Sequence, residues 1–348
     1  MRDEYRHMKP IRLLNLGAIP AWQTQAIYHA LAERMDQDGE DTIIICRPNQ
    51  PYLCLGYHQV FESVFDPREC QARGLPVIRR RLGGGATYLD QNQIFYQCIF
   101  HHSRMPVMFK EIYAFALAAP VLTLRRLGLT AQLRETNEIE VDGKRIAGTG
   151  GGRIGEATVI VGNLLLDFDF EAMAAVWHTP SPAFRALAEK ALREHIVQLN
   201  ELLEPPPIDR LTDLLIDSFS SLIGRPLLPG VLSPEELAAA RFEATELTSS
   251  ECLAMHGNSS ESEAMRNLKI SARAAIRYDV AQVRGYEVHG SFWVAEDQIR
   301  EAVLDSVPGR DWGFCQDRLV GMPMEKWRDQ LDSLLEKPGS FMEGGNWQ

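Results

Sequence analysis

Long hydrophobic runs are missing from this 348-residue sequence. The longest apolar stretch, at residues 114–124, contains Pro120 and is far shorter than the ~20 residues that a membrane-spanning helix needs. Residues 1–10 mix both signs of charge and hold no apolar core, which is unlike a signal peptide. We therefore expect a cytoplasmic protein without a membrane partner.

Paired cysteines and an excess of positive charge are also missing. The six cysteines form no Cys-x-x-Cys pair and no zinc-like spacing, so reduced thiols are expected. Lys and Arg number 36 against 47 Asp and Glu, which gives a net charge of −11. Nucleic-acid binding needs a basic face, and this balance argues against a nucleic-acid partner while leaving room for a local basic site.

What is present is the composition of a folded globular protein, with 45% apolar and 24% charged residues. At ~150 residues per domain the length predicts about two domains. A polar, small-residue stretch at 248–262 is typical of a linker, so we place one domain at 9–248 and a small one at 249–348. Strands and helices mix without βαβ alternation, which favours an α+β fold.

Periodicity and turn residues predict the individual elements. Helices are expected at 22–35, 109–127, 181–203, 208–223, 233–247 and 325–335. Strands are expected at 42–47, 52–57, 75–79, 87–100, 137–141, 144–147, 157–168 and 286–295. Asp142-Gly143 between two strand-like runs predicts a hairpin turn.

The first block that can carry chemistry is residues 79–90, Arg-Arg-Arg-Leu-Gly-Gly-Gly-Ala-Thr-Tyr-Leu-Asp. Consecutive glycines let a backbone approach a ligand and present N–H groups to an anion. Arginines add planar donors for carboxylate or phosphate. The block therefore indicates an anion site, with a glycine hairpin edged by solvated charge as the alternative.

The second block, residues 137–153, ends within a formal G-x-G-x-x-G that spans residues 150–155. A dinucleotide site needs a helix directly after these glycines, and a β-branched strand follows here. The sequence also contains no G-x-x-x-x-G-K-[ST], which excludes a P-loop.

Together the two blocks resemble the lipoate–protein ligase A family, within the biotin and lipoate A/B protein ligase catalytic domain superfamily. The resemblance rests on Arg79-Arg80-x-x-Gly-Gly-Gly-Ala86, on Asn137-Glu138, on Arg145-Ile-Ala-Gly148 and on Gly162-Asn-Leu-Leu-Leu-Asp167. It covers about residues 11–247, and the C-terminal part is similar to the accessory domain that some ligases carry. It implies a mixed, largely antiparallel sheet packed with helices.

The resemblance also implies a two-step reaction. With ATP and Mg²⁺ the enzyme would convert the carboxylate of lipoate or octanoate into acyl-AMP, and would then transfer the acyl group to a lysine of a lipoyl carrier protein. The carrier would be an H-protein-like carrier, a lipoyl domain or a lipoate-binding protein, and we expect a monomer.

By resemblance, the residues that bind substrate and ATP are Arg79, Arg80, Gly83, Gly84, Gly85, Ala86, Tyr88, His58, Asn137, Glu138, Gly148, Thr149 and Gly162. Asn137 and Glu138 would also hold the Mg²⁺. Residues 149–155 would form a flexible loop over the adenylate. Leu82 and Leu89 stand where relatives carry polar side chains at the pocket rim.

The catalytic position departs from the family. Relatives carry an essential lysine directly before the Ile/Val-[Ser/Ala]-Gly turn, whereas here that residue is Arg145 and the lysine is Lys144. Strand alternation places the two side chains on opposite faces, although a bulge after the turn could rotate Lys144 inward. Three hypotheses stay open: Arg145 replaces the lysine, Lys144 is shifted into the site, or activation is impaired.

The cysteines and histidines separate the alternatives. Octanoyltransferases of this superfamily carry the acyl group on a cysteine, and the sequence has none between Cys98 and Cys252. Cys98 lies among apolar residues and is expected in the core. ATP-dependent ligation is therefore the main hypothesis, with a ligase-like binding protein and an octanoyltransferase as alternatives. His58 or Gln59 is expected to face the substrate, and the spacing around His101-His102 does not support a metal.

Overall fold

The computed structural model describes residues 9–256 and 264–336. In this part of the chain two compact units are seen, one made of residues 9–176 and 196–256 and the other of residues 177–195 and 264–336. The units differ from the expected boundary at 248/249. Residues 177–195 belong to the second unit, because the helix Pro182–His195 packs on the C-terminal strands. Residues 249–256 belong to the first unit, because they pack on its helices and strands. Residues 257–262 of the expected linker lie outside the described residues.

The strands are β1 (Ile11–Ile19), β2 (Thr42–Pro48), β3 (Tyr52–Leu55), β4 (Val77–Arg79), β5 (Thr87–Leu89), β6 (Gln93–His101), β7 (Gln132–Arg134), β8 (Glu138–Val141), β9 (Lys144–Ile154), β10 (Ala157–Leu165), β11 (Leu227–Pro229), β12 (Asn267–Lys269), β13 (Ala274–Val283), β14 (Tyr286–Ala295) and β15 (Gln298–Val307).

The helices are α1 (Ala21–Glu33), α2 (Phe61–Val64), α3 (Pro67–Ala72), α4 (Phe109–Arg126), α5 (Phe170–Val176), α6 (Pro182–His195), α7 (Leu199–Leu202), α8 (Ile208–Ile223), α9 (Pro234–Thr248), α10 (Ser250–Leu253), α11 (Gly313–Leu319) and α12 (Trp327–Glu336). Short 3₁₀ turns lie at His102–Arg104 and Met324–Lys326. Among the described residues, no helix combines the length and the apolar character needed to cross a bilayer.

An eight-stranded sheet in the order β11-β1-β2-β6-β10-β9-β8-β7 forms the centre of the first unit. Strand β1 pairs in parallel with β11 and β2, and the other neighbours are antiparallel. The expected mixed, largely antiparallel sheet is confirmed. A second sheet has the order β4-β3-β5. The single strand expected at 87–100 is split between the two sheets, because Asp90 accepts the backbone N–H of Asn92 at 2.9 Å and turns the chain.

The two faces of the central sheet carry separate apolar cores. Residues that alternate along β6 divide between them, with Tyr96 in the core that α4 and α8 cover and Phe95 in the core that α1 and α9 cover. The sequence signals for α8 and α9 are local and strong: Ser233 and Glu236 form the predicted capping box. The two glycine-rich blocks lie on the α1 face.

The second unit is a four-stranded antiparallel sheet, β12-β13-β14-β15, packed with α6, α11 and α12. Its core contains Trp312 and Trp327, whose indole N–H groups donate to Ser306 and Asp279 at 2.9 Å. Ser181 caps α6 as predicted, since its Oγ accepts the backbone N–H of Phe184 at 3.0 Å. The helix ends at His195 instead of continuing to 203.

Candidate active site

The two glycine-rich blocks, about 65 residues apart in sequence, lie directly against each other. A side chain added at Gly150 of β9 would come within 3.4 Å of the Gly83 carbonyl oxygen. One added at Gly152 would come within 3.3 Å of Leu82 Cδ2. The absence of side chains on this face of β9 therefore lets the 82–85 loop rest on the sheet.

Arg80 fixes the shape of this loop from below. Its buried guanidinium donates from Nη2 to the carbonyl oxygens of Gly83 at 2.9 Å and Gly85 at 2.7 Å. The C=O and N–H of one trans peptide point in opposite directions, so the N–H groups of Gly84 and Ala86 point away from Arg80. Gly84 and Gly85 are exposed, and Gly84 has a φ of +100°. The loop is thus arranged to bind an anion with its backbone.

The Arg79 side chain donates hydrogen bonds to backbone carbonyl oxygens and does not line the pocket, which corrects the expectation from the resemblance. It is 1% exposed, and its guanidinium donates at 2.6–3.1 Å to six carbonyl oxygens. Three acceptors lie after β3, at Gly56, Tyr57 and Gln59, and three around α10, at Cys252, Leu253 and Met255. Five N–H donors are committed to these acceptors, so none is left to bind a substrate.

His29, which the sequence reading missed, supports the start of the loop from α1. Its Nε2 accepts the backbone N–H of Arg81 at 2.9 Å, so its proton is on Nδ1, which donates to the Gln25 carbonyl at 2.7 Å. A second proton would face the Arg81 N–H. Burial, followed by Arg81 and Arg80, outweighs the Gln25 hydrogen bond and lowers the pKa of His29 to about 3.

The lowered pKa of His29 makes the free energy of unfolding depend on pH. Its pKa is lower in the folded than in the unfolded chain, so its stabilising contribution is complete above pH ~6.5 and is lost as the pH falls towards 3. Within that window we expect wild type to lose about 1.4 kcal/mol of unfolding free energy per pH unit relative to His29→Gln. Denaturant unfolding of both proteins between pH 7.5 and 5 measures this, and parallel pH curves would contradict it.

Arg145 lies on the same sheet face as the loop, beside Gly148. Its Nη2 would be 3.7 Å from a side-chain carbon at Gly148, and its Nη1 is 3.9 Å from Glu138 Oε1. Burial lowers the pKa of Arg145 and the Glu138 carboxylate opposes the change. The guanidinium stays cationic at neutral pH. Asn163 Oδ1 accepts the Gly148 N–H at 2.8 Å and completes this corner.

The hairpin register explains why Arg145 faces this corner. Glu140 pairs with Arg145 and Ile139 with Ala147, which leaves Ile146 as a bulge. The bulge that the sequence allows is therefore present, but it follows Arg145. Lys144 pairs with Val141, a residue of the opposite core, and so begins on the other face of the sheet.

The carboxylates around β8 differ in their exposure. Glu140 is 2% exposed, whereas Glu135 is exposed. Glu138 is buried beside Arg145. Its neighbour Asn137 is exposed and its carbonyl accepts the Thr149 hydroxyl. Alternation puts Asn137 and Glu138 on different faces, and of the two the structure brings Glu138 to Arg145.

Gly162 and Tyr88 serve packing. A side chain at Gly162 would meet the Tyr96 hydroxyl at 2.2 Å, in the core under α4 and α8. Tyr88 is buried edge-on against Phe168, with ring centroids 6.2 Å apart, and burial raises its pKa to about 12.

Leu82 and Leu89 belong to the core, since they are 1% and 6% exposed, and so do not form a pocket rim. Residues 149–155 also differ from expectation, because strand β9 extends to Ile154 and pairs with β10 throughout. The glycines of β9 are needed for close approach of the loop rather than for mobility.

His58 lies in a turn that packs against the glycine loop, since the backbone N–H of Tyr57 donates to the Leu82 carbonyl at 3.0 Å. It is exposed, and its ring is 4.9 Å from that of Tyr57 and 5.8 Å from that of His256. The turn that carries it is the one whose carbonyls Arg79 holds. No sequence pattern links His58 to His256, since almost 200 residues separate them.

The loop can be tested at Gly85, where a side chain would meet open space and the backbone needs no positive φ. We expect Gly85→Asp to reduce the affinity for a phosphate-bearing anion at least about tenfold, since its carboxylate would repel an anion held by the Gly84 and Ala86 N–H groups. Isothermal titration with inorganic pyrophosphate measures the affinity. Gly309→Asp, at an equally open position in the second unit, is the control, and equal affinity of the two variants would contradict the assignment.

Comparison with known proteins decides the family. The family model described as the lipoyl protein ligase A/B catalytic domain matches residues 20–220. The chain belongs to this family. It is 29% identical over 215 residues to octanoyltransferase LipM of Kyrpidia tusciae, spanning 55% of this chain and 78% of that protein. It is 25% identical over 240 residues to lipoate-protein ligase A subunit 1 of Thermoplasma acidophilum, spanning 66% and 90%.

Solved structures of the family share the fold. The bi-partite lipoate protein ligase of Thermoplasma acidophilum, described with its E2 lipoyl domain, superposes with a TM-score of 0.65 at 23% identity, covering 73% of this chain and 99% of that one. A lipoate-protein ligase A bound with ATP superposes with a TM-score of 0.60 at 21% identity, covering 71% and 100%. The expected family is confirmed. The relatives found within it include both lipoate ligases and octanoyltransferases.

Proposed function

We propose that this member of the lipoyl ligase family is an ATP-dependent lipoate–protein or octanoate–protein ligase. The observation that carries the proposal is a cationic, anion-binding corner without an exposed thiol among the described residues. It consists of the outward N–H groups of the 83–86 loop, the Arg145 guanidinium and the Gly148–Asn163 contact, all on one face of the sheet.

Such a corner suits the joining of two anions. In the first step an acyl carboxylate oxygen forms a bond to the α-phosphorus of ATP, and pyrophosphate leaves. Arg145 and the loop N–H groups would hold the oxygens on which negative charge accumulates. In the second step a carrier lysine amine bonds to the acyl carbon, AMP leaves and the amine loses a proton.

ATP and Mg²⁺ fit the residues present. Gly83 and Gly85 face open space, which leaves room for phosphate against the backbone. Glu138 offers the oxygen ligand that Mg²⁺ prefers, and we propose that it holds an ion that also binds phosphate oxygens. Strand alternation turns the exposed Asn137 side chain to the other face, so of the two expected Mg²⁺ ligands only Glu138 is proposed here. Bound Mg²⁺ would neutralise phosphate charge.

The cysteines argue against a thioester route. All six lie in the described ranges. Burial raises the pKa of Cys46 and Cys98 to about 12 and that of Cys70 to about 11. It also raises the pKa of Cys252 and Cys315. A nucleophilic cysteine needs an accessible thiolate, which these environments disfavour.

Octanoyl transfer is the second candidate, because several relatives are octanoyltransferases named LipM. Cys54 lies beside Arg80, and its Sγ accepts a hydrogen bond from Arg80 Nη1 at 3.3 Å. It is 1% exposed under the loop, so an acyl group would reach it only if the loop opened.

The two candidates differ in what they require. We propose a lipoyl carrier domain as partner, as in the Thermoplasma system. The purified protein is incubated with apo lipoyl domain and either octanoate plus Mg-ATP or octanoyl-loaded carrier without ATP, and the domain is weighed by mass spectrometry. The ligase predicts octanoylation in the ATP arm alone, with loss of activity in Arg145→Ala and full activity in Cys54→Ala. Modification in the ATP-free arm that Cys54→Ala abolishes would establish the transferase.

A further inference from the structure

Three potential metal ligands meet at the edge of the central sheet, away from the corner described above. His101 ends β6, His102 begins the 3₁₀ turn after it, and Glu156 lies in the turn between β9 and β10. Strand pairing brings them together, since Ala157 of β10 pairs directly with His101. The backbone N–H of His102 donates to the Glu156 carbonyl at 2.9 Å and fixes the two turns to each other.

The ligand atoms already converge. Glu156 Oε2 is 3.1 Å from His102 Nδ1 and 3.8 Å from His101 Nε2, and all three atoms lie within 4.8 Å of one another. Bonds of about 2.0–2.1 Å in a tetrahedron place ligand atoms roughly 3.3 Å apart. Small side-chain rotations would therefore bring the three atoms to coordinating distance.

The surroundings support ligation by His101. Its ring is 2% exposed, and its Nδ1 accepts the backbone N–H of Ser103 at 3.3 Å and lies 2.8 Å from Ser103 Oγ. Ligation through Nε2 would move the ring proton to Nδ1, where Ser103 Oγ would accept it. An imidazole oriented in this way by an outer hydrogen bond is the usual arrangement at metal sites. The two imidazoles lie side by side, with centroids 4.5 Å apart.

We propose that His101, His102 and Glu156 form a three-ligand site for a divalent transition metal of the Zn²⁺, Co²⁺ or Ni²⁺ class, with water as a further ligand. Two imidazoles and one carboxylate match these ions, whereas Mg²⁺ and Ca²⁺ prefer oxygen alone. The ion would tie the β9–β10 turn to the end of β6 and so stabilise the hairpin that carries the glycine face. It is independent of the proposed ligase activity.

Two existing interactions would be exchanged. His102 Nδ1 is 3.0 Å from the Glu156 carbonyl oxygen, and Glu156 Oε2 is 3.6 Å from Arg153 Nη2. The Arg153 side chain is 56% exposed, and an exposed ion pair of this kind contributes little stability, so the arginine can turn into solvent when an ion binds. Local sequence spacing hides the site, because the carboxylate lies 54 residues beyond His102.

The test is a Co²⁺ titration of the full chain at pH 7.5, followed by visible absorption, with Zn²⁺ displacing Co²⁺. We expect one ion per chain, and affinity reduced more than about tenfold in Glu156→Gln and in His102→Ala. His289→Ala is the matched control, because His289 and Glu287 form a two-ligand His–Glu pair at 3.1 Å. Binding by Glu156→Gln within twofold of wild type, or loss of binding in His289→Ala, would overturn the proposal.

A second readout reports on the hairpin itself. Zn²⁺ should slow tryptic cleavage after Arg153 in wild type and leave the cleavage rate of Glu156→Gln unchanged. Glu156 is 55% exposed, so this variant is expected to fold. Equal protection of both proteins by Zn²⁺ would place the ion elsewhere and refute the site.

Discussion

Replacing Arg145 by alanine is expected to lower kcat/KM for acyl-AMP formation by at least about 100-fold, the effect of removing one donor aimed at developing charge. Its guanidinium lies on the loop face of β9, beside Gly148 and Glu138. Lys144 is the neighbouring residue but lies on the opposite face of the sheet. Lys144→Ala should therefore keep kcat/KM within about twofold of the wild-type value. Pyrophosphate release with octanoate, Mg²⁺ and ATP measures both.

Arg145→Lys sharpens this comparison. Lysine keeps the charge but lacks the planar fork, so we expect activity between that of wild type and Arg145→Ala. Unfolding curves of all three variants should confirm that they fold. If Lys144→Ala loses activity and Arg145→Ala keeps it, the shifted-lysine hypothesis replaces the present one.

Arg79→Met should have the largest effect on stability, lowering the free energy of unfolding by about 3 kcal/mol or more. The side chain is buried, and its removal leaves six carbonyl acceptors around Gly56 and α10 without their donor. Urea denaturation followed by circular dichroism measures the change.

Arg81→Met is the control for this prediction. Arg81 is 31% exposed and pairs with Glu33 and Glu243 at 3.0 and 2.9 Å, so its loss should cost about 1 kcal/mol or less. If Arg79→Met unfolds like wild type but loses substrate affinity, then Arg79 is a ligand-binding residue, as the family resemblance implies, and its structural role is refuted.

Local patterns predicted the elements that depend on local physics. Helix α8 occupies the predicted residues 208–223, because an amphipathic run ends at Gly224, whose φ is +72°. The Asp142-Gly143 hairpin forms for a similar reason, as both residues have positive φ. These features need no information from the rest of the chain.

Long-range packing set the rest. The sequence shows three adjacent arginines but not that Arg79 and Arg80 turn inward to backbone carbonyls while Arg81 reaches the surface pairs. The run of glycines in β9 predicts a flexible loop, yet pairing with β10 keeps these residues in a strand. The Glu140 side chain is buried, because its strand β8 lies inside the sheet between β7 and β9.

The same limit applies to the active site. The motifs identify the family, and the structure brings the 83–86 loop, Glu138 and Arg145 to one face. The relatives of this chain include both ligases and octanoyltransferases, so the choice between ligase and transferase depends on the cysteines and on chemistry that must be measured.

Acyl-dependent exchange of radiolabelled pyrophosphate into ATP tests the central claim most directly, because it requires no carrier protein. We predict exchange by the wild-type protein with lipoate or octanoate and Mg²⁺, none without the acid, and acyl-AMP in the same mixture by mass spectrometry. Absence of exchange with both acids, from protein that still binds a lipoyl domain, would contradict the ligase and favour a binding protein.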